Sequence, residues 1–496
     1  MLGHAQQNLG LVTEMSNNLM RQLDQVLAGA SEIIVREIIG SADVLVSDIT
    51  HDSSNVSKNS IFCCVVGDQT DGHNFVAAAK DNGAVALLVE RRVDLDITQV
   101  IVSDVRSAMG YLAAELFNRP SQKLNVIGIT GTNGKTTTSH MLAAILNQHG
   151  WQTTVFGTLS GARTTPESTD LQRSLAGELE RGCKAVVMEV SSHALTLHRV
   201  AGMSFKAAVF TNLGQDHLDF HKSTEDYFSA KAQLFTSHFT NKCIINKDDV
   251  HGALLIDLLA SKKEIDCESF SISDAQQVQA DVSKISFIWR GQRIEVATGG
   301  HFNVMNALAA ATAAAKLGVA ISDIAKGLAA AGAISGRFES VIEGQEFGVV
   351  IDYAHTPEAL QNVLISARQL VADNAKVIVV FGCGGDRDHS KRPKMGAVAA
   401  KLADVIYITS DNPRHEDAQT IANEIMDGAM NSANASGKVM VDLNRRNAIA
   451  SAFARAEAGD IVIIAGKGHE STQTIGADDF DFNDALVSRE LLMATS

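Results

Sequence analysis

The sequence contains no long apolar run and very little proline. No stretch approaches the roughly 18 consecutive apolar residues that a membrane-spanning helix requires. The opening residues, MLGHAQQNLG, carry neither a basic segment nor an apolar core, so we expect no signal peptide. With only 5 prolines in 496 residues, Pro-rich linkers between domains are excluded as well.

Cysteine pairs and excess positive charge are also lacking. The 6 cysteines are scattered and none forms a Cys-x-x-Cys pair, which argues against a zinc knuckle and indicates a reducing compartment. The formal net charge of -15 argues against a nucleic-acid partner. It does not exclude phosphorylated small molecules, which need only a local pocket. We therefore expect a cytoplasmic protein without membrane insertion.

Short apolar runs separated by helix-like segments make up most of the chain. Residues 1 to about 40 are helix-like and weakly informative. The runs VLVSDI, SIFCCVV and AVALLVE, with the helix pattern FVAAAKDNGA between the last two, then predict a small α/β domain. We place this N-terminal domain at residues 1–119, ending with a helix over 105–119 that stops before a proline.

Two further α/β domains follow in the pattern. Residues 120–335 alternate strands such as LNVIGIT and AVVMEV with helices, including a strong helix at 303–318, which predicts a doubly wound, mainly parallel sheet. Residues 336–496 contain the strand patterns KVIVVFG and DIVIIAG, which predict a Rossmann-like domain.

The sharpest motif is GITGTNGKTTT, a glycine-rich turn between a predicted strand and a predicted helix. Glycines let backbone N–H groups surround phosphate oxygens, and the helix offers its positive end. Lys135 is then placed at the β- and γ-phosphates and Thr136 at Mg²⁺. The usual spacing puts a glycine where Ile129 stands, so an ordinary glycine turn is the alternative. The predicted nucleotide-binding residues of this loop are Gly131, Thr132, Asn133, Gly134, Lys135, Thr136 and Thr137.

Acidic and histidine side chains follow two of the predicted strands. Glu189 ends AVVMEV, where a carboxylate faces the ligand crevice and can hold Mg²⁺; the alternative is a surface glutamate. His217 lies in TNLGQDHLDFH, although Mg²⁺ usually prefers oxygen ligands. Lys231 lies in a helical pattern, where a solvated lysine is the ordinary interpretation.

These motifs together resemble the Mur ligase family, which builds the peptide of bacterial peptidoglycan. The resemblance runs from about residue 43 to the end. It rests on the order of GITGTNGKTTT, MEVSSHAL, TNLGQDHLD, SAKAQLF, GHFNVMNALAA, SGRFE, DYAHTP and CGGDRDHSKRP. The resemblance implies three domains: one that binds a UDP-linked substrate, a central ATPase and a C-terminal Rossmann-like domain.

The resemblance also assigns residues. It implies that Lys231 is carbamylated and holds Mg²⁺ together with Thr136, Glu189 and His217, and that ATP contacts extend beyond the phosphate loop. Leu197 departs from the family pattern, in which many members carry glutamine. The implied ATP contacts are Asn303, Arg337, Asp352, His355 and Lys391, for which local capping or hinge positions are the alternatives. The implied contacts to the UDP-linked substrate are His51, Ser53, Asp68, Gln69, Thr70, Thr164, Thr165, Ser191 and Arg199.

DNPR at 411–414 and GKGHE at 466–470 resemble the signature of the branch that adds meso-2,6-diaminopimelate. This amino acid has a carboxylate at its far end, which Arg414 can grip with two hydrogen bonds, while Glu470 pairs with the ammonium there. A structural ion pair of Arg414 is the alternative. The implied amino-acid contacts are Arg387, Asp411, Asn412, Pro413, Arg414, Gly466 and Glu470.

The implied reaction is the ATP-dependent addition of meso-2,6-diaminopimelate to UDP-N-acetylmuramoyl-L-alanyl-D-glutamate through an acyl-phosphate, in a monomer. The general base for the amine is left open, with His217 and His355 as candidates. The alternatives are a lysine-adding, dipeptide-adding or folylpolyglutamate-type ligase, or a non-enzymatic regulator that binds ATP.

Overall fold

The computed structural model describes residues 20–67, 70–161, 163–214, 216, 220–431 and 438–495. Helices and strands alternate along these residues, as the apolar runs predict. The α-helices are α1 (Leu23–Gly29), α2 (Val76–Asp81), α3 (Val105–Leu116), α4 (Pro120–Lys123), α5 (Lys135–Gln148), α6 (Ser168–Glu180), α7 (Ser192–Thr196), α8 (Thr224–Ala232), α9 (Val250–Leu259), α10 (Asn303–Lys316), α11 (Ile321–Ala330), α12 (Pro357–Leu370), α13 (Lys391–Leu402), α14 (Ala418–Met430), α15 (Arg445–Arg455) and α16 (Asp484–Thr495).

The strands are mostly short and apolar. They are β1 (Arg21–Gln22), β2 (Val35–Ile39), β3 (Leu45–Val46), β4 (Asp48–Thr50), β5 (Ser60–Cys63), β6 (Ala84–Val89), β7 (Thr98–Val102), β8 (Asn125–Thr130), β9 (Thr153–Phe156), β10 (Ala185–Glu189), β11 (Ala207–Phe210), β12 (Lys242–Asn246), β13 (Asp266–Phe270), β14 (Gln276–Ala280), β15 (Ile285–Trp289), β16 (Gln292–Val296), β17 (Glu339–Ser340), β18 (Gly348–Asp352), β19 (Val377–Phe381), β20 (Val405–Ile408), β21 (Val439–Val441), β22 (Ile461–Ala465), β23 (Thr472–Ile475) and β24 (Asp478–Asp481).

Three sheets carry the architecture. One has the order β2-β7-β6-β5-β4, parallel except for β2 at its edge. A second has the order β13-β12-β11-β8-β10-β9, with β8 between β11 and β10. The third has the order β17-β18-β22-β19-β20-β21 and is parallel from β18 onward. The predicted α/β fold with doubly wound, mainly parallel sheets is confirmed.

The chain divides into two compact units, each assembled from separate segments. The first comprises the described residues of 1–128, 151–208 and 230–242. The second comprises those of 129–150, 209–229 and 243–496. The boundaries predicted from sequence, after residues 119 and 335, stay predictions.

In the second unit, apolar side chains cover both faces of the last sheet. All five residues of β19 are buried, as expected for a parallel strand between helices. One face packs against α12, α13 and α14 and the other against α15 and α16. The sheet is therefore doubly wound, and loops after β18, β19, β20 and β22 meet at its carboxyl edge, where α/β sheets bind ligands.

In the first unit, the five-stranded sheet is likewise packed on both faces. Ile61 and Cys63 face a core with α1 and α3, whereas the alternate residues Phe62 and Cys64 face a smaller core with α2. Burial raises the pKa of the Cys64 thiol to about 12, so it stays protonated at neutral pH.

Two local predictions need correction. Val35–Ile39 form the edge strand β2, not a helix, because pairing with β7 outweighs the weak local pattern. The helix predicted over 105–119 ends at Leu116, and Pro120 instead starts α4, a position where its missing N–H costs nothing. Within the described ranges, no helix is long and apolar enough to cross a membrane.

Candidate functional site

The glycine-rich loop joins β8 to α5 in the geometry that its motif predicts. Gly134 precedes the helix with a left-handed φ of 85°, and a Cβ there would overlap Oδ1 of Asn306. Lys135 folds back over the loop, and its Nζ donates to the carbonyls of Gly131 and Thr132, both at 2.9 Å. The start of α5 therefore offers backbone N–H groups and a cation to an anionic ligand.

Two residues after β11 hold this loop in place. The side chain of Asn212 accepts from Asn133 N at 2.9 Å and donates to Asn133 O at 3.2 Å. Its backbone carbonyl accepts from Thr132 N at 2.9 Å, and Thr211 Oγ1 donates to Asn133 O at 2.7 Å. The buried hydroxyl of Tyr227 lies 3.1 Å from Thr132 Oγ1. These contacts were not predicted from the sequence, although a polar Thr-Asn pair ending a neighbouring strand was a usable signal.

Arg337 connects the loop to the last sheet. Its Nη2 donates to Thr136 Oγ1 at 3.1 Å, and its guanidinium carbon lies 4.6 Å from the ring centroid of Tyr353. Burial raises the pKa of Asp352 to about 6, although Arg337 favours its ionised form. Burial, followed by the charge of Lys391, lowers the pKa of His355. Four of the predicted ATP contacts therefore lie close enough to influence one another electrostatically, and Arg337 is the one that reaches Thr136.

Asn303, the remaining predicted ATP contact, makes local hydrogen bonds. Its Nδ2 donates to Gly299 O at 2.7 Å, its Oδ1 accepts from Asn306 Nδ2 at 2.8 Å, and the side chain is almost fully buried. These are local hydrogen bonds and not a helix cap, and the ATP contact of Asn303 stays a prediction. Asn306 instead lies against the phosphate loop, 3.5 Å from Thr138 Oγ1.

The predicted amino-acid contacts meet at the carboxyl edge of the last sheet. The loops after β19 and β20 run against each other, with Gly385 N donating to Asn412 O at 2.9 Å. A Cβ at Gly385 would overlap the carbonyl of Pro413. Arg414 has a left-handed φ of 51°, and its Nη1 donates to Gly385 O at 2.6 Å. The side chain of Arg414 is only partly buried and pairs with no acidic group among the described residues, so the structural ion pair is not found there.

The GKGHE segment places a buried lysine next to two of the predicted amino-acid contacts, Asn412 and Glu470. Lys467 is fully buried, and its Nζ lies 3.0 Å from Asn412 Oδ1, 3.0 Å from Glu470 Oε2 and 2.6 Å from Thr472 O. Asn412 Nδ2 also donates to Glu470 Oε2 at 2.8 Å. Gly466 N donates to Asp352 O at 3.1 Å, next to the predicted ATP contacts. Lys467 was not among the residues predicted from the sequence.

Two buried arginines support the loops of this edge. Arg445 binds Asp484 through two hydrogen bonds of 2.7 and 2.8 Å, with both side chains fully buried, and donates to Ala465 O at 2.9 Å. Arg392, also buried, binds Glu416 and Glu424 at 2.9 Å each. These pairs anchor the segments that precede Gly466 and follow Arg414. Arg387, by contrast, is exposed.

In the first unit, Glu189 ends β10 as predicted and is 1% exposed, which excludes a surface glutamate. Its two carboxylate oxygens accept from Thr158 N at 3.0 Å and Thr158 Oγ1 at 3.2 Å. Thr164 Oγ1 lies 3.2 Å from Thr158 Oγ1. Thr165 Oγ1 donates to Glu189 O at 2.8 Å and accepts from Ser191 N at 3.2 Å. Thr165 therefore contacts Glu189 directly, and Thr164 is connected to the Glu189 carboxylate through Thr158.

Arg199 belongs to a cluster of cations around one carboxylate. Its Nε lies 2.9 Å from Glu167 Oε1, and its Nη1 donates to Thr165 O at 3.4 Å. Arg163 also binds Glu167, and Arg106 lies 3.6 Å from its other oxygen. Burial, followed by the neighbouring arginines against the pull of Glu167, lowers the pKa of Arg199. The excess positive charge suits an anionic ligand.

Of the remaining predicted residues, some have positions that the structure describes and others lie outside the described ranges. His51 Nδ1 lies 3.2 Å from Thr169 Oγ1, Ser53 begins a short 3-10 helix and Thr70 is exposed. Lys231 is 1% exposed, so it is not the solvated lysine that its helical pattern suggests. Asp68, Gln69 and His217 lie outside the described residues. Within those residues, no group of three His, Cys, Asp or Glu side chains is arranged for a metal.

Family models for three successive regions match this chain. They describe the Mur ligase family, catalytic domain, at residues 45–119, the Mur ligase middle domain at 129–314, and the Mur ligase, glutamate ligase domain, at 336–468. The chain belongs to the Mur ligase family, a class of amide-forming ligases, and the family predicted from its motifs is confirmed.

Relatives indicate a particular branch. The chain is 42% identical over 463 residues to UDP-N-acetylmuramoyl-L-alanyl-D-glutamate--2,6-diaminopimelate ligase of Aquifex aeolicus (strain VF5), covering 90% of this chain and 94% of that protein. A solved structure of the same name is 31% identical, with a TM-score of 0.66 and coverage of 93% and 99%. The MurF ligase of Thermotoga maritima, solved in complex with ADP, shares the fold at 20% identity and a TM-score of 0.60, covering 90% and 96%. The names of the first two agree with the predicted reaction.

Proposed function

We propose that this chain joins meso-2,6-diaminopimelate to UDP-N-acetylmuramoyl-L-alanyl-D-glutamate, using ATP. The observation that carries the proposal is the convergence of Arg414, Asn412 and Glu470 at the carboxyl edge of the last sheet. The 42% identity to the Aquifex aeolicus ligase of that name supports the same reaction. Products would be the tripeptide, ADP and phosphate.

ATP would bind with its phosphates at the start of α5. Backbone N–H groups from Gly131 to Thr137 would surround the phosphate oxygens, and Lys135 would leave its loop carbonyls for the β- and γ-phosphates. Arg337 already reaches Thr136 Oγ1 and would lie beside the same phosphates. The ADP complex of the Thermotoga maritima ligase supports nucleotide binding by this fold.

Mg²⁺ would be held by Thr136, Glu189, His217 and Lys231, the last as a carbamate. The buried Glu189 carboxylate fits this role, because each of its oxygens accepts one hydrogen bond and keeps lone pairs for a cation. Lys231 is almost completely buried, so a carbamate on its side chain would be enclosed by protein. When bound, Mg²⁺ supplies positive charge to the transferring phosphoryl group.

The UDP-linked substrate would lie along the first unit. His51, Ser53 and the segment Asp68–Thr70 would contact the uridine end. Thr164, Thr165, Ser191 and Arg199 would contact the muramyl dipeptide, whose carboxylates suit the cation cluster around Glu167. The cytoplasmic location and the monomeric state stay predictions.

The chemistry divides into two steps. The D-glutamyl carboxylate attacks the γ-phosphorus of ATP, ADP leaves, and an acyl-phosphate forms, with Lys135 stabilising the developing charge. The amine of diaminopimelate then attacks the acyl carbon, the C–O bond to phosphate breaks, and the amine loses a proton. Arg414 and Glu470 would hold the far carboxylate and ammonium of diaminopimelate, which orients the reacting amine.

The test is phosphate release from ATP with the UDP-linked dipeptide, comparing meso-diaminopimelate with L-lysine. We expect release and a tripeptide product with diaminopimelate only. Arg414→Leu should lower kcat/KM for diaminopimelate by about 100-fold or more, because it removes a charge-assisted contact. Arg446→Leu, at an exposed position of α15, is the matched control and should leave kcat/KM within about twofold.

Two other outcomes would contradict part or all of the proposed function. Turnover with L-lysine would keep the ligase and overturn the role of Arg414. Turnover with neither amine, while ATP still binds, would favour another branch of the family or a non-enzymatic regulator.

A further inference from the structure

Lys467 is a buried ammonium group with no donor left for a ligand. Its side chain is 0% exposed, and three acceptors surround Nζ: Asn412 Oδ1, Glu470 Oε2 and the carbonyl of Thr472. An ammonium group has three N–H donors, so these contacts satisfy it. Any influence of Lys467 on a substrate must therefore pass through its neighbours.

The first neighbour, Asn412, is fixed in one orientation. Its Oδ1 accepts from Lys467 Nζ at 3.0 Å and from Thr474 N at 3.0 Å. Both partners are donors only, so a rotated amide would place its own N–H groups against them. With the oxygen held there, Nδ2 faces Glu470 and donates to it at 2.8 Å.

The second neighbour, Glu470, has two carboxylate oxygens that differ in their contacts. Oε2 accepts from both Lys467 and Asn412, whereas Oε1 makes no hydrogen bond within the described part of the chain. The Glu470 side chain is 31% exposed, so a ligand can reach it. Asn412 Nδ2 carries a second N–H that has no acceptor among the described residues. The pair thus presents one charged acceptor and one donor side by side.

We infer that Lys467 is a positioning residue that prepares Asn412 and Glu470 to bind one end of the amino-acid substrate. The inference rests on the proposed function. The matching ligand is an amino-acid head group, whose ammonium binds Glu470 Oε1 and whose carboxylate accepts from Asn412 Nδ2. Diaminopimelate carries such a head group at each end, and the far end is the one beside Arg414.

A purely structural role for Lys467 makes a different prediction. Through Thr472 O the lysine also ties down the β23–β24 hairpin, so its loss would weaken the fold in general. A general weakening of the fold would change KM for all three substrates alike, or it would lower the amount of active protein. A positioning role affects KM for the amino acid selectively.

The experiment measures KM and kcat of full-length Lys467→Met for all three substrates. We expect KM for diaminopimelate to rise about 10- to 100-fold, with KM for ATP and the UDP-linked dipeptide within about twofold. Lys316→Met is the matched control, since it removes a largely buried lysine that pairs with Asp266 at the far end of α10. An unchanged KM for diaminopimelate, or equal changes for all substrates, would overturn the inference.

A double-mutant cycle tests the route through Asn412. In an Asn412→Ala background, Lys467→Met should raise KM for diaminopimelate by a smaller factor than in the wild-type background, because only its direct contact with Glu470 remains. Fully additive effects would overturn the inference. If Lys467→Met does not fold, Lys467→Gln is measured in the same way and judged by the same criteria. Failure of the proposed function is distinguishable, because wild-type protein would then not use diaminopimelate at all.

Discussion

Asp352 is a buried carboxyl group whose surroundings only partly compensate for the loss of water. Burial raises its pKa from 3.8 to about 6, against the opposing effects of Arg337 and the N–H groups of Phe338 and Ala354. Between these two pH values the folded chain binds a proton more readily than the unfolded chain. The free energy of unfolding therefore falls as pH rises through this interval.

Asp352→Asn should remove this pH dependence. Relative to wild type, the variant should gain stability between pH 4 and pH 7 by an amount on the order of 2–3 kcal/mol. Urea unfolding at a series of pH values measures the difference. A constant offset between the two proteins across that range would show that Asp352 does not titrate as described.

At the scale of single residues, sequence reasoning worked where a short motif determines local chemistry. The glycine-rich loop lies between a strand and a helix, as its motif predicts, because the whole turn belongs to one segment of the chain. The burial of Lys231 was not predictable, since it depends on segments far away in the sequence. The contact of Asn212 with Asn133 joins two segments that lie far apart in the sequence. Lys467 was missed although Glu470 belongs to the same motif, because its contact with Asn412 comes from another loop.

The last two helices are joined by an ion pair with no access to solvent. Arg445 starts α15 and Asp484 starts α16, and each is fully buried. Removing one partner leaves the other charge buried without compensation, which is costly. Because Arg445 also binds the carbonyl before Gly466, the loss reaches the carboxyl edge of the sheet.

Arg445→Ala should lower the free energy of unfolding by about 3–5 kcal/mol. Arg446→Ala is the matched control: its partner Glu490 lies 2.7 Å away, but the side chains are 46% and 61% exposed. That change should cost less than about 1 kcal/mol. Urea unfolding at pH 7 compares them, and similar losses for both variants would contradict the role given to burial.

Among the elements, buried parallel strands were the easiest to predict. The runs KVIVVFG and DIVIIAG are continuous apolar stretches and became β19 and β22, with both faces covered. The hairpin β23–β24 was not predicted, because β24 is exposed along its whole length and carries mainly aspartate. Strand β14 is also largely exposed, so its pattern lacks the apolar alternation that marks a strand.

For the whole molecule, the sequence predicted the fold class and the family but divided the chain only into continuous segments. The compact units are discontinuous, since the chain leaves the first unit at 128 and returns to it at 151 and 230. A pass along the sequence cannot detect such exchanges, because they depend on which strands become neighbours. The three predicted domains await a direct test.

A ligand that binds only the folded chain stabilises all of it. A non-hydrolysable ATP analogue, at a fixed concentration 100 times its Kd for the wild-type protein, should add about 2.7 kcal/mol to the wild-type free energy of unfolding and raise Tm. Lys135→Met should reduce this shift strongly, whereas Lys316→Met should retain it. Thermal unfolding with and without the analogue measures both, and an equal shift in the two variants would exclude Lys135 from nucleotide binding.

The close approach of Gly385 to Pro413 has a consequence for protein engineering. The two loops interlock through the Gly385–Asn412 hydrogen bond and the contact of Arg414 with Gly385 O. A transplant that replaces residues 411–414 alone would set a foreign loop against an unchanged partner, where even one methyl group does not fit. Exchanging amine preference between ligases therefore calls for grafting both loops as one cassette.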